Sequence, residues 1–266
     1  MALPGVSKAT KKNGEIYYRS SITYKGKHIS LGSYSTEAAA GSAYQDAVTL
    51  LGSNTTFSEV VFSQYSLPYD KLICILNYRD NGIYIKNPIY LYHKYFHYYL
   101  NESTPLKFDI DDLFFYSTHK IQQRGGYLFV ADYGMQINIL SRYGIKNYGV
   151  LGRDYRHVNN NEYDYTYENI EVINPYYGVS RITKNKKPLY KCQLHLNGNY
   201  IVGYYQTAEE AAIAYNKAID FVKQKGCNRS FQSNYILSYT SQQYAAIYDK
   251  ISLSNQILNW ENKTAL

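Results

Sequence analysis

Two stretches of the chain alternate apolar and polar side chains with a period of two, and each leads into a stretch with the period of a helix. Ile16–Tyr24 (IYYRSSITY) and Leu189–Leu196 (LYKCQLHL) carry the alternation of a half-buried strand. Each follows a Gly-Val-Ser opening and a Lys-rich turn, in "GVSKATKKNGE" and "GVSRITKNKKP". Each is followed by a Gly-containing turn, Lys25-Gly26 or Asn197-Gly198, and a third short strand. Asn-Gly between alternating runs is a strong hairpin signal, so both stretches predict a three-stranded antiparallel sheet. Ala40, Ala43, Tyr44, Ala47 and Leu51 then recur at three- and four-residue spacing, as do Ala211, Ala214, Tyr215, Ala218 and Val222. Thr36 and Thr207 stand where an N-cap is needed, and Glu37, Glu209 and Glu210 occupy first turns, where the helix dipole favours acids. Alanines let each helix lie close to its sheet, and one tyrosine per copy fills the remaining gap.

One helix covers one face of a three-stranded sheet, so the other face stays open. The alternation turns Tyr18, Ser20 and Ile22 toward the first helix, and Tyr190, Cys192 and Leu194 toward the second. Arg19, Ser21 and Thr23, and Lys191, Gln193 and His195, face away. Both outward sets are polar and hold a cation. Such a face is either simply solvated or shaped to reach base edges in a DNA major groove.

The intervening chain is less periodic. "GYLFVADYGMQINIL" reads as a hairpin turning near Asp132–Gly134. "FDIDDLFFYSTHKIQQRGG" predicts a helix with Asp109, Asp111 and Asp112 at its N-terminus and Gly125-Gly126 as its stop. The three aspartates can be weighed as a metal cluster, but acids in a first helical turn are the commoner arrangement. The last segment predicts one or two amphipathic helices with Trp260 as a packing anchor. The expected fold class is α+β: two small modules, each a three-stranded antiparallel sheet on one helix, flanking a mixed central domain, with a helical C-terminal tail. The boundaries are 1–57, 58–175, 176–231 and 232–266.

Composition sharpens this picture in three ways. With 266 residues, 45% hydrophobic and 17% aromatic, the chain is expected to fold into a few small domains. Tyrosine is extreme, at 34 against one Trp. Drift toward A/T-rich codons explains that, and so does a need for residues that cover sheets and stack on bases. Three cysteines, Cys74, Cys192 and Cys227, lack zinc spacing and point to a reducing compartment. No segment has the ~18 apolar residues of a membrane helix, and the first residues have no signal-like apolar run, so a soluble, cytoplasmic protein is expected. The net charge of +7 is uneven: residues 1–57 carry six Lys/Arg against three Asp/Glu, 58–175 eleven against thirteen, 176–231 nine against three, and the tail two against two. The repeated modules are the basic parts, which suits a polyanionic partner.

The order of Gly-Val-Ser, alternating strand, "LGSYSTEAAAGSAYQDA" (Leu31–Ala47) or "VGYYQTAEEAAIAYNKA" (Val202–Ala218), and helix resembles the Apetala-two/ethylene-response-factor DNA-binding domain, in its compact prokaryotic or mobile-element form. The likeness covers a little under half the chain. It implies that the open sheet face reads the major groove of double-stranded DNA, as in a transcription factor. Carried over by position, the base-facing residues are Ser7, Arg19, Ser21, Thr23, His28 and Ser30 in the first module. In the second they are Ser180, Ile182, Lys191, Gln193, His195, Asn199 and Ile201. Lys8, Lys11, Lys12, Arg181, Lys184, Lys186 and Lys187 suit phosphates, which position without specifying sequence. The arginines and tryptophans with which plant members read bases are mostly Ser, Thr, Gln or Ile here, so the resemblance implies a mode of binding and not a target sequence. The third strand of the second copy is one residue shorter, which leaves the register of Asn199–Ile201 open.

In the middle, "RDYRHVNNNEYDYTYENIEVIN" (Arg153–Asn174) resembles the HNH homing-endonuclease core, with His157, Asn159, Asn161, Asp164 and Asn169 on matching positions. The resemblance implies that His157 would activate water and Asn169 would orient the His157 imidazole, with a divalent Mg or Mn at the cut phosphate. The family's metal-binding acid directly precedes the histidine, where this chain has Arg156, and a cation there repels a metal. The second ligand's helix is replaced by "NPYYGVSR", running into the next module. The expectation is a nuclease relic without cofactor or metal, in a protein that binds double-stranded DNA, with no membrane or small-molecule partner and its oligomeric state open. Two alternatives stand beside it. One is an HNH site-specific endonuclease of a mobile element, with Asp154 as a substitute ligand and Mg or Mn bound. The other is a protein-interaction module with tyrosine-rich surfaces.

Overall fold

The computed structural model describes residues 3–184 and 186–262 and has an α+β architecture of small sheets, mostly antiparallel, with few helices. β1 (Val6–Thr10), β2 (Ile16–Tyr24) and β3 (Lys27–Tyr34) form an antiparallel sheet, and α1 (Glu37–Gly52) lies on one face. Thr36 caps α1, its hydroxyl accepting from the Ala39 N–H at 3.1 Å. Lys25 and Gly26 make the β2–β3 turn with φ of 44° and 76°, the left-handed pair of a type I′ hairpin. Beyond α1 come α2 (Tyr69–Asn81), β4 (Ile89–Leu91), β5 (Tyr95–Tyr98), β6 (Leu106–Asp109), α3 (Leu113–Thr118), β7 (Ile121–Arg124), β8 (Tyr127–Asp132) and β9 (Met135–Asn138). The short strands β10 (Tyr155–His157), β11 (Asp164–Tyr165) and β12 (Ile170–Val172) follow.

The second copy repeats the first. β13 (Val179–Lys184), β14 (Lys187–His195) and β15 (Asn199–Tyr205) form its antiparallel sheet under α4 (Ala208–Gln224), and α5 (Ser241–Lys250) and α6 (Asn255–Leu258) form the tail. Thr207 caps α4 through the Glu210 N–H at 3.1 Å. The β14–β15 link is looser than its Asn-Gly suggests: His195 pairs with Asn199, so three residues turn the chain, and Leu196 is buried among them.

The chain forms two compact units. The first runs to Ile139 and takes back Asn161–Asn169; the second holds Leu140–Asn160 and everything from Ile170. In the first, Ala43, Ala47 and Leu50 of α1 share a core with Ile29 and Leu31 of β3 and with Leu72, Ile75 and Leu76 of α2. In the second, Ala211, Ala214 and Ala218 of α4 meet Cys192, Leu194 and Val202, with Ile257 and Trp260 of the tail sealing the edge. The alanine stripes are fully buried in both copies and Trp260 anchors the tail, as the periodicity predicts.

The Gly-Val-Ser openings have a steric cause. Gly5 and Gly178 adopt φ of 68° and 70°. A Cβ on Gly5 would fall 2.1 Å from the Tyr44 ring and 2.6 Å from the Ser21 carbonyl oxygen; on Gly178 it would meet Tyr215 at 2.2 Å and the Gln193 oxygen at 2.6 Å. The lone helix tyrosine thus fills the space that the glycine leaves.

Two readings of the middle need correction. Residues 108–126 are not one helix: β6 pairs antiparallel with β5 and parallel with β11, α3 spans six residues, and β7 follows. Gly125-Gly126, with φ of 55° and 82°, is the turn of the β7–β8 hairpin rather than a helix stop. Asp111 and Asp112 do lie in the first turn of a short 3-10 helix, Ile110–Asp112, that leads into α3, and Asp109 and Asp112 hold Tyr167, accepting from its N–H at 2.7 Å and its hydroxyl at 3.2 Å. The β8–β9 hairpin does turn at Tyr133-Gly134. No described helix is long and apolar enough to cross a membrane.

Candidate nucleic-acid interface

Cross-strand register fixes which side chains share the helix-free faces. On the first sheet Ser7, Arg19 and Ser33 form one row, Ser21 and Ser30 the next, and Thr23 and His28 a third. Ser7, Arg19, Thr23, His28, Ser30 and Ser33 are exposed and Ser21 half-buried. The second sheet matches row for row: Ser180, Lys191 and Tyr204, then Gln193 and Ile201, then His195 and Asn199. His195, Asn199 and Tyr204 are exposed, and Ser180, Lys191, Gln193 and Ile201 half-buried. The open register of Asn199–Ile201 is therefore settled, and it equals that of His28–Ser30.

Ser33, Tyr204 and Tyr17 are the face residues that the sequence reading missed. A β-bulge interrupts both ladders, between Ser20 and Ser21 and between Cys192 and Gln193. Leu31 and Val202 are the extra residues, both buried, and beyond them the alternation changes phase. Simple period-two counting from His28 therefore turns Ser33 inward, when it stands beside Arg19. Tyr17 was legible, because it lies two residues before Arg19 and period two puts both on one face.

Arg19 is held in place. Its Nε and Nη2 donate to the Tyr17 hydroxyl oxygen at 3.2 and 2.6 Å, and the guanidinium lies 5.4 Å from that ring's centre. His195 Nδ1 and Asn199 Oδ1 are 2.8 Å apart, so these two face residues bond each other. Ile182 is half-buried on β13. Lys184 Nζ sits 4.8 Å from the Tyr204 ring centre, and Lys187 pairs with Lys184 at the same end of the sheet. Lys186 lies exposed in the turn. Lys8 and Arg181 are exposed, but they pair with Tyr18 and Tyr190, on the helix side of their strands. Lys11 bonds Glu15 at 3.0 Å across the β1–β2 turn beside exposed Lys12, and that contact holds the Glu15 carboxyl below the ordinary range.

The basic charge of the second module is not all on its face. Lys217 donates to the Tyr248 and Ile251 carbonyls at 2.6 and 2.8 Å, Lys225 to that of Leu258 at 2.7 Å, and Arg229 to that of Leu196 at 2.5 Å. These cations bind helix ends of the tail and a loop, so they lie away from the helix-free face, whereas Lys184, Lys186 and Lys187 stand on the β13–β14 hairpin.

The residues around His157 make a different kind of arrangement. Arg156 lies across the β10–β12 ladder from Glu171 and pairs with it at 2.6 Å. Asp154, fully buried, accepts from Lys146 at 2.8 Å, Arg153 at 2.7 Å, the Val150 N–H at 2.9 Å and Asn174 at 3.0 Å. Burial pushes its pKa up, but the bonds from Arg153, Lys146 and Val150 outweigh this and hold the carboxyl below the ordinary value. Lys146 also donates to the Tyr176 carbonyl, and Asn174 to that of Val179 at 2.7 Å, which ties residues 146–154 to the start of the second sheet. Both carboxylate oxygens of Asp154 are therefore engaged, Oδ1 by Lys146 and Asn174 and Oδ2 by Val150 and Arg153.

His157 is buried on β10 in the second unit, with its ring edge-on to Tyr155 and its carbonyl accepting from Asn160. Asn169 belongs to the first unit, where its amide donates to the Asp164 carbonyl at 2.7 Å and fastens the preceding loop. Asp164 is bonded by Lys107 at 3.1 Å and Thr166 at 2.7 Å. β12 continues into β13 with no helix between them. Among the described residues no three His, Cys, Asp or Glu side chains gather as metal ligands. Compared with protein-family models, curated proteins and solved structures, the chain matches none.

Proposed function

We propose that this protein binds double-stranded DNA, each module laying the helix-free face of its sheet into a major groove, and that it acts by binding rather than by cutting. One observation carries the reading: two sheets in one chain set mostly polar, exposed or half-buried side chains in the same register on the helix-free face, each with a cation in its central strand beside a serine. Three strands spaced by about 4.8 Å are about 10 Å across, which suits a groove about 12 Å wide. Lys184, Lys186 and Lys187 on one hairpin and Lys11 and Lys12 on the other stand at the sheet ends, where phosphates flank a groove. Two grips on one chain gain through effective concentration, so neither module needs to bind tightly alone. Such a protein would be cytoplasmic, on the nucleoid if the cell is prokaryotic.

Fluorescence anisotropy of labelled duplex DNA across a salt series tests this. Affinity should fall steeply and linearly in log–log form with salt, and Arg19→Ala or Lys191→Ala should weaken it. A flat salt response would favour a protein partner instead and end the DNA reading.

A further inference from the structure

The shared register allows the two faces to be compared position by position, and their chemistry diverges. The serine of the first row, Ser7 or Ser180, is identical, the cation beside it is a planar guanidinium at Arg19 and an ammonium at Lys191, and the remaining positions differ. The first face is a guanidinium among hydroxyls: Arg19 between Ser7 and Ser33, with Ser21 opposite Ser30. Tyr17 fixes the Arg19 guanidinium through Nε and Nη2, and Nη1 has no partner among the described residues. A planar fork held in this way matches the O6/N7 edge of guanine.

The second face centres on an amide beside a branched aliphatic chain. Gln193 stands directly opposite Ile201, and its side-chain amide has no partner among the described residues. Glutamine pairs with the N6/N7 edge of adenine, and apolar side chains contact the thymine methyl. Ile201 is unusually well fixed for an edge-strand residue. Its N–H donates to Gln256 Oε1 at 3.0 Å, its carbonyl accepts from the Ser254 hydroxyl, and the neighbouring Val202 carbonyl accepts from the Ser254 N–H at 3.1 Å. The tail thus clamps the strand edge that presents Ile201, which preorganises this half of the surface.

We infer that the bound DNA is a composite site without two-fold or repeat symmetry, in which the first sheet selects a guanine-bearing stretch and the second an A·T-bearing stretch. The inference rests on the DNA-binding reading above. Selection of bound duplexes from a random pool by the full chain, followed by affinity measurements on single-base variants of the winner, tests it. The enriched site should hold one stretch that specifies guanine and another that specifies A·T. Arg19→Ala should lower discrimination at the guanine by about 5- to 100-fold and leave the A·T stretch intact, and Gln193→Ala should do the reverse. Gln193→Glu should move the preference at its base pair toward cytosine, whose N4 amine a carboxylate accepts, a gain that misfolding cannot produce. Two equivalent halves in the winning site, or equal losses at every position from either variant, would overturn the composite site while leaving DNA binding in place. Failure of the unaltered chain to enrich or bind any duplex would sink the DNA-binding reading itself.

Discussion

At the residue scale, the two glycines that open the modules constrain the fold more than their size suggests. A methyl group on Gly5 or Gly178 would strain a left-handed backbone and collide with both a tyrosine ring and a carbonyl oxygen. The ring can move, but the carbonyl is part of the ladder, since Gly5 and Gly178 themselves accept from the Ser21 and Gln193 N–H groups at 2.9 and 2.8 Å. Gly5→Ala and Gly178→Ala should each destabilise by on the order of 1–3 kcal/mol in urea unfolding. Adding Tyr44→Ala to Gly5→Ala should restore little, because the Ser21 oxygen remains in the way. Full recovery in that double variant would show that the ring alone demands glycine. Ser20 is a contrasting case: its buried hydroxyl has no partner among the described residues, where the second copy has Cys192.

At the element scale, legibility followed locality. Both sheet-and-helix modules were readable because alternation, cap threonines and alanine spacing all act within a few residues. The β4–β5–β6–β11 sheet was not, because its strands are two to four residues long and β11 joins β6 in parallel across more than fifty residues of chain. Gly125-Gly126 misled because two left-handed glycines serve a helix end and a hairpin equally well. The face residues were mostly legible, and Ser33 and Tyr204 were lost to the bulges that shift the alternation. The loop around Asp154 is a further element whose role only packing reveals: it links residues 146–154 to β13. Replacing this carboxylate by Asp154→Asn leaves the Lys146 ammonium buried without its counter-charge, and should cost about 3–5 kcal/mol at neutral pH. Trp260, the single tryptophan and buried in the same unit, reports that unfolding by fluorescence. Because the folded-state pKa of Asp154 is depressed, its contribution is complete above the unfolded value of about 3.9 and is lost as pH falls from there through the folded value. The difference between parent and variant should shrink across that acid window. Equal stability of the two at pH 7 would refute the structural role.

At the scale of the whole molecule, Asp154, Arg156, Asp164 and Asn169 are engaged in local structural bonds, while the helix-free sheet faces keep Arg19, Thr23, His195 and Asn199 exposed. An HNH reaction requires an acid beside the general base to hold the metal that stabilises the leaving group. Here the residue next to His157 is a cation paired with Glu171, and Asp154, the nearest buried acid along the chain, has both oxygens engaged by Lys146, Arg153, Val150 and Asn174. Freeing Asp154 for a metal would break those bonds and strand Lys146 as well, so a modest gain in coordination would have to offset a loss of several kcal/mol. Supercoiled plasmid incubated with the protein and magnesium or manganese should therefore remain supercoiled, and His157→Ala should leave affinity for duplex DNA within about twofold while Arg19→Ala and Lys191→Ala reduce it. Metal-dependent nicking that disappears in His157→Ala would restore catalysis to the molecule. An equal loss of affinity in all three variants would instead extend the DNA-contacting surface to the strand that carries His157.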